Sequence, residues 1–184
     1  MRAISCLDRF TRNCMRSGFK KSLMLSAVTH MKTELTNSFC TSDSDNQFGR
    51  TIHYCLDREV APIDIMHSCV DKYINMLLHV GRNARTDQEH YSSRCCAFNY
   101  LRQCARDYAE YQCEHVAPGA TSILESFVVR MFNQLTQCTQ FHTTWHVCKH
   151  IPSGTILSFN RIGQSETPPM DNSSVLFTFL DVLQ

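Results

Sequence analysis

An all-α, disulfide-rich fold, a bundle of about five or six short helices, is predicted by three observations. Eleven cysteines fall in 184 residues, and no two are spaced as Cys-x-x-Cys. Cysteines this numerous without metal-ligand spacing form a disulfide framework, which requires an oxidising compartment. Apolar residues recur at helical intervals, whereas strand-like alternation is rare. Glycine and proline are scarce, at six and five, and between Pro62 and Pro118 only Gly81 interrupts, which leaves room for long helices.

Each element follows from its own spacing. Leu7, Phe10 and Cys14, then Leu23, Leu25, Val28 and Met31, predict two helices near the start of the chain. Residues 41–50 are polar and contain Gly49, a loop. Met66, Cys69, Val70, Tyr73, Leu77 and Leu78 form one helical stripe, with Asp71 and Lys72 on the other side. The charged stretch 80–93 holds Gly81 and is expected to be a second loop. Ala97, Leu101, Cys104, Ala105, Tyr108 and Tyr111 form the next stripe. Leu124, Phe127, Val128, Met131, Phe132 and Leu135 form the cleanest one, leading to Cys138. Thr121 or Ser122 can cap its start, with Glu125 completing a capping box from Ser122. After Pro152 the pattern weakens, and residues 163–174 are linker-like. The apolar end at 175–183, broken by Asp181, is too short for a lipid-anchor signal. The expected organisation is one helical disulfide-rich domain over 1–152 and a poorly packed tail over 153–184.

The length suits one domain able to bury a real core. Formal net charge is +1, so the whole molecule has no electrostatic preference for nucleic acid or a membrane surface. Charge is uneven, however. Residues 1–32 carry Arg2, Arg9, Arg12, Arg16, Lys20, Lys21 and Lys32 against Asp8 alone. That is either a solvated helix face or a docking patch for an acidic partner. No apolar run is long enough to span a bilayer. No signal peptide opens the chain, because Cys6, Asp8, Arg9 and Arg12 interrupt its first stretch. A secreted composition without a secretion signal is reconciled if the true N-terminus is missing. The odd cysteine count agrees with this, a free or intermolecular thiol being the alternative. Asn172-Ser173-Ser174 is the one N-glycosylation sequon.

The cysteines run Cys6, Cys14, Cys40, Cys55, Cys69, Cys95, Cys96, Cys104, Cys113, Cys138 and Cys148. Eight or nine helical residues rise about 12–14 Å, whereas a disulfide needs alpha carbons roughly 4.4–6.8 Å apart. Cys95, Cys96, Cys104 and Cys113 therefore cannot bridge one another on a helix. They must staple that helix, the central post of the fold, to others, and Cys95 and Cys96 must join different partners. The same argument separates Cys6 from Cys14. Cys40 with Cys55 and Cys138 with Cys148 are the expected local pairs, with one cysteine left over.

Three secreted families have comparable cysteines. Secreted phospholipases follow paired cysteines with a catalytic His-Asp, but Asn99 and Tyr100 stand here and supply no general base. Insect odorant-binding proteins share the Cys104-x8-Cys113 ending but have two cysteines separated by three residues, which this chain lacks. The ladder Cys95-Cys96-x7-Cys104-x8-Cys113, followed by Cys138 and Cys148, resembles a group of arthropod secreted cysteine-rich helical proteins of uncharacterised function. Cys6-x7-Cys14 and Cys40-x14-Cys55 followed by Cys69 are also similar, so the resemblance covers about residues 5–150. It implies a secreted helical fold and no known catalytic residues. Members of that group begin with a signal peptide and further upstream cysteines, and this chain has neither.

Catalytic and metal chemistry find little footing. His142, His146 and His150 recur every four residues near Cys138 and Cys148, so successive pairs on one helical face are weak zinc candidates. The alternative is a disulfide-bonded pair of cysteines among surface histidines. No Gly-x-Ser-x-Gly elbow or phosphate-binding glycine loop occurs. Asp107 and Glu110 lie one turn apart and fit a solvated face. Eight Met and eleven Phe residues, including Met24, Met66, Met76, Met131 and Phe132, are either simply core or the lining of an adaptable pocket. The expectation is a secreted, extracellular, non-enzymatic binding protein for a small apolar ligand, with no cofactor. An interaction or structural factor acting on an extracellular protein is the alternative, and a zinc-binding or enzymatic protein using His142 and His146 a further one.

Overall fold

The computed structural model of the protein describes residues 2–39, 51, 62–115, 117–138 and 147–165. Among them are six α-helices, one short 3-10 turn and no strand. The fold is all-α and disulfide-rich, as the spacing predicts. The chain divides into two compact units, residues 1–59 with 109–137 and residues 60–108 with 138–184, where one domain over 1–152 is expected from sequence.

The first unit holds α1 (Arg2–Cys14), α2 (Phe19–Phe39) and α5 (Ala120–Thr136). Helix α2 packs against both α1 and α5. Its Leu23, Met24, Ala27, Val28 and Met31 are buried, a stripe at helical spacing that meets Leu124 and Val128 of α5 in the same core. On α1 the buried Thr11 hydroxyl donates to the Leu7 carbonyl, so its polar atom is satisfied inside the helix. The turn into α2 uses Gly18 at φ +145, a conformation that L side chains rarely adopt. Lys21 Nζ donates to the carbonyls of Arg12 and Met15, placing a cation at the carbonyl end of α1. His30 meets the Arg130 carbonyl, and Arg130 pairs with Glu34 at 3.6 Å, tying α2 to α5.

Helix α5 is capped from the turn that precedes it. The Glu114 carboxylate accepts the Gly119 N–H at 2.8 Å, the Thr121 N–H at 2.9 Å and the Thr121 hydroxyl at 2.7 Å. The expected Ser122–Glu125 box does not form, since the Ser122 hydroxyl donates to the Gly119 carbonyl. The helix begins at Ala120, so Ser122 lies inside it. The backbone N–H bonds and the Thr121 hydroxyl together hold the Glu114 carboxyl below its ordinary value. A lowered folded pKa contributes stability above the unfolded carboxylate range and loses it as pH falls through the folded value. Acid unfolding of the wild type should thus include a component that Glu114→Ala lacks, measurable as a shallower fall of stability on acidification.

The second unit holds α3 (Pro62–Asn83), α4 (Asp87–Gln112, through Tyr108), a 3-10 turn (Val147–His150) and α6 (Ser153–Gln164). The loop expected at 80–93 shrinks to residues 84–86. Gly81 lies within α3, and the charges of residues 87–93 lie in the first turns of α4. Thr86 starts that helix, its hydroxyl accepting the Glu89 N–H at 3.1 Å while the Glu89 carboxylate accepts the Arg85 N–H at 2.8 Å. This is a close variant of the reciprocal cap that Thr-x-x-Glu encodes, and Asp87 and Glu89 favour the positive end of the helix.

Disulfides fix α4 as the central post. Cys69 of α3 bonds Cys104, Cys95 bonds Cys138, and Cys96 bonds Cys148. Adjacent Cys95 and Cys96 do reach different partners, because neighbouring side chains on a helix diverge by about 100°. The expected Cys138–Cys148 pair is corrected by these bonds: both cysteines are taken by the post. Cys113 is buried and disulfide-bonded, and the Cys40–Cys55 expectation falls outside the described residues. Among the described residues Cys6 and Cys14 are free and exposed, more than the single leftover cysteine that the sequence reading expects.

The core of this unit joins Tyr73, Ile74, Met76, Leu77 and Val80 of α3 to Ala97, Phe98, Leu101 and Ala105 of α4. The expected tail also begins here as structure. Ser153–Gln164 is a helix packed on α3, and Phe159 is 0% exposed. Its ring lies edge-on to His79 and Tyr100 at centroid distances of 6.1 and 5.9 Å. Residues 166–184 lie outside the described part.

Candidate functional site

A groove of about 280 Å³ opens in the second unit. Three segments far apart in sequence build it. Helix α3 contributes Cys69, Lys72 and Met76, a stripe at steps of three and four residues. Helix α4 contributes Tyr100, Gln103, Cys104 and Asp107 at the same spacing, and α6 contributes Asn160, Gly163 and Gln164. The Cys69–Cys104 disulfide joins the α3 and α4 walls.

The lining separates by polarity. The disulfide, the buried Met76 side chain and the Tyr100 ring supply apolar surface. Polar groups in the lining are held by one another. The Lys72 ammonium donates to the Gly163 carbonyl at 2.8 Å, which also places a cation at the carbonyl end of α6. The Tyr100 hydroxyl donates to Asn160 Oδ1, and partial burial pushes its pKa up, keeping it a donor. Gln103 donates to Asp107 Oδ1 at 2.7 Å. Gly163 leaves its part of the wall open, since a Cβ there would meet only Tyr100 Cε1, at 4.0 Å.

A second cavity, of about 500 Å³, is lined by His79, Asn83, Arg85, Glu89, Pro152, Gly154 and Thr155. Its polar groups serve the helix ends: Glu89 caps α4, and the Asn83 amide donates to the His79 carbonyl at 2.8 Å. Desolvation pushes the His79 pKa down, so the ring is neutral at physiological pH.

No protein-family model, curated protein or solved structure matches this chain. The candidate site therefore rests on its own geometry. Of the sequence-predicted zinc candidates, His150 is exposed in the 3-10 turn, and His142 and His146 lie outside the described residues, as does the Asn172 sequon. Among the described residues no group of three His, Cys, Asp or Glu side chains could hold a metal ion. The proposed Met and Phe lining divides. Met24 is sealed in the first unit's core, Met131 and Phe132 are half-buried on α5, and Met76 reaches the groove, while the Met66 side chain lies outside the described part. Sequence reasoning missed Lys72, Tyr100, Asn160 and Gly163. The spacing Ile156–Phe159–Ile162 after Pro152 was the available signal for α6.

Proposed function

We propose that this is an extracellular, non-enzymatic binding protein whose α3–α4–α6 groove takes the apolar body of a small amphipathic molecule. The observation that carries the reading is the division of the groove into a disulfide-and-methionine wall and a hydrogen-bonded polar set, open at Gly163. Ligand sites are commonly concave and mostly apolar with a few fixed polar groups, and volumes of roughly 300–1,000 Å³ are typical. A groove of about 280 Å³ thus suits one short chain or ring rather than a bulky ligand. Buried, oxidised cysteines support the extracellular setting, in keeping with the arthropod secreted proteins that the cysteine ladder resembles. Among the described residues no helix is long and apolar enough to cross a membrane.

Gly163 provides the test. A Cβ at Gly163 makes no close contact, so Gly163→Leu extends a side chain from the groove wall, and replacing a helical glycine does not weaken the helix by propensity. An environment-sensitive apolar fluorophore should bind the oxidised protein one to one and be displaced by medium-chain fatty acids. Gly163→Leu should weaken it at least about tenfold, a loss of about 1.4 kcal/mol. Gly154→Leu, on the same helix at a position with nothing within 4 Å of its Cβ, should leave binding unchanged. Equal affinity in the wild type and Gly163→Leu would overturn the groove. It would favour the second reading, a protein-interaction factor, for which the exposed Phe19, Tyr111 and Leu157 side chains are the supporting observation.

A further inference from the structure

Cys6 and Cys14 are free and exposed, whereas Cys69, Cys95, Cys96, Cys104, Cys113, Cys138 and Cys148 are all disulfide-bonded. Both free thiols lie on α1. Eight residues separate them, a rise of about 12 Å, so they cannot bond each other within the helix. They nevertheless share a face. Steps of four residues turn about 40°, so Cys6, Phe10 and Cys14 form one uncharged stripe with Phe10 at its midpoint. Phe10 is 40% exposed. The half-buried Leu7, the buried Thr11 and the half-buried Ile4 follow around the helix beyond Cys14, at about 60°, 100° and 120° from Phe10.

A stripe that is symmetric about its own centre is self-complementary under a twofold axis. We propose that two copies of this chain join through α1 in antiparallel register, Cys6 of each bonding Cys14 of the other on either side of a central Phe10–Phe10 contact. Helix axes pack about 8–10 Å apart, and alpha carbons lie about 2.3 Å from the axis. Facing alpha carbons thus fall near the roughly 4.4–6.8 Å that a disulfide needs. Antiparallel packing opposes the two helix dipoles, whereas parallel packing aligns them.

Each bridge forms by thiol–disulfide exchange. Two thiols lose two protons and two electrons as one S–S bond forms, and one molecule of a small disulfide accepts them and leaves as two thiols. Two bridges consume two such molecules. The reaction needs an oxidising solution but not the ligand groove, so its outcome is independent of the binding reading above.

The test oxidises the purified full chain with glutathione disulfide. Mass in non-reducing denaturing conditions should double from 21.2 kDa and return to the monomer value with reductant. Peptide mapping of a mixture of isotopically light and heavy protein should find Cys6–Cys14 cross-links between light and heavy chains. Cys6→Ser and Cys14→Ser should each abolish the covalent dimer, because neither remaining cysteine faces its own copy. Phe10→Glu should slow dimer formation at least about tenfold while leaving both thiols reactive. A dimer that persists in either single serine variant would mean self-paired cysteines and overturn the register. A wild type that stays monomeric, with both thiols free or capped by glutathione, would overturn the dimer itself.

Discussion

Loss of the Cys69–Cys104 disulfide should lower the stability of the second unit by about 4 kcal/mol. The three described bonds close sequence separations of 35, 43 and 52 residues, and loop-closure entropy makes each worth about 4 kcal/mol in the chain-entropy model. All three end on α4. Strong reductant should therefore free the central post from α3 and from the segments bearing Cys138 and Cys148 at once, and unfold the unit. The comparison is of urea midpoints for the oxidised wild type, the Cys69→Ala/Cys104→Ala double variant and the fully reduced protein. The double variant is the cleaner measurement, because it leaves no new thiol to exchange with its neighbours. A midpoint unmoved by reduction would mean that hydrophobic packing alone holds these helices, and the disulfide framework would lose its structural meaning.

Phe159→Ala should have an effect of similar size, about 3–5 kcal/mol, the usual cost of emptying a buried phenylalanine site. The ring is fully buried and lies edge-on to His79 and Tyr100. It is the one wholly buried side chain of α6. Without it the helix keeps the Lys72 and Tyr100 hydrogen bonds, each worth only about 1 kcal/mol net, or somewhat more for the charged donor. Helix α6 should thus fray before the rest of the unit. Hydrogen exchange along Ser153–Gln164 should rise well ahead of global unfolding, and probe binding in the groove should fall with it. Exchange that stays as slow as in the wild type would show that α6 is held by something other than this contact.

The parts of the fold that were legible in the sequence are those written in local spacing. The stripes of α3, α4 and α5 follow from periodicity, and the role of α4 as a post follows from the rise of a helix against the reach of a disulfide. The choice of partners does not follow. Cys138 and Cys148 are near in sequence, yet Cys95 and Cys96 diverge from buried positions on α4 and take one each. Charge was misleading at 80–93, where Asp87 and Glu89 favour a helix start rather than mark a loop. The groove was not legible because Gly163, Lys72 and Tyr100 are neighbours only once three distant segments pack. Glycine and proline beyond Pro152 concealed α6 for the same reason: its one buried anchor, Phe159, matters only against residues of α3 and α4.

The adjacent cysteines of α4 have a topological consequence. Cys95 and Cys96 share a peptide bond, and their disulfides lead to Cys138 and Cys148. Backbone and sulfur therefore form a closed covalent ring through the stretch from Cys138 to Cys148. A protease that cuts once inside that stretch opens the ring but releases nothing, since both new ends remain tethered to neighbouring residues of one helix. The nicked molecule gains the mass of one water and stays in one piece until its disulfides are reduced. His142 and His146 lie on this tethered arc, whereas His150, the third of their four-residue series, lies beyond Cys148.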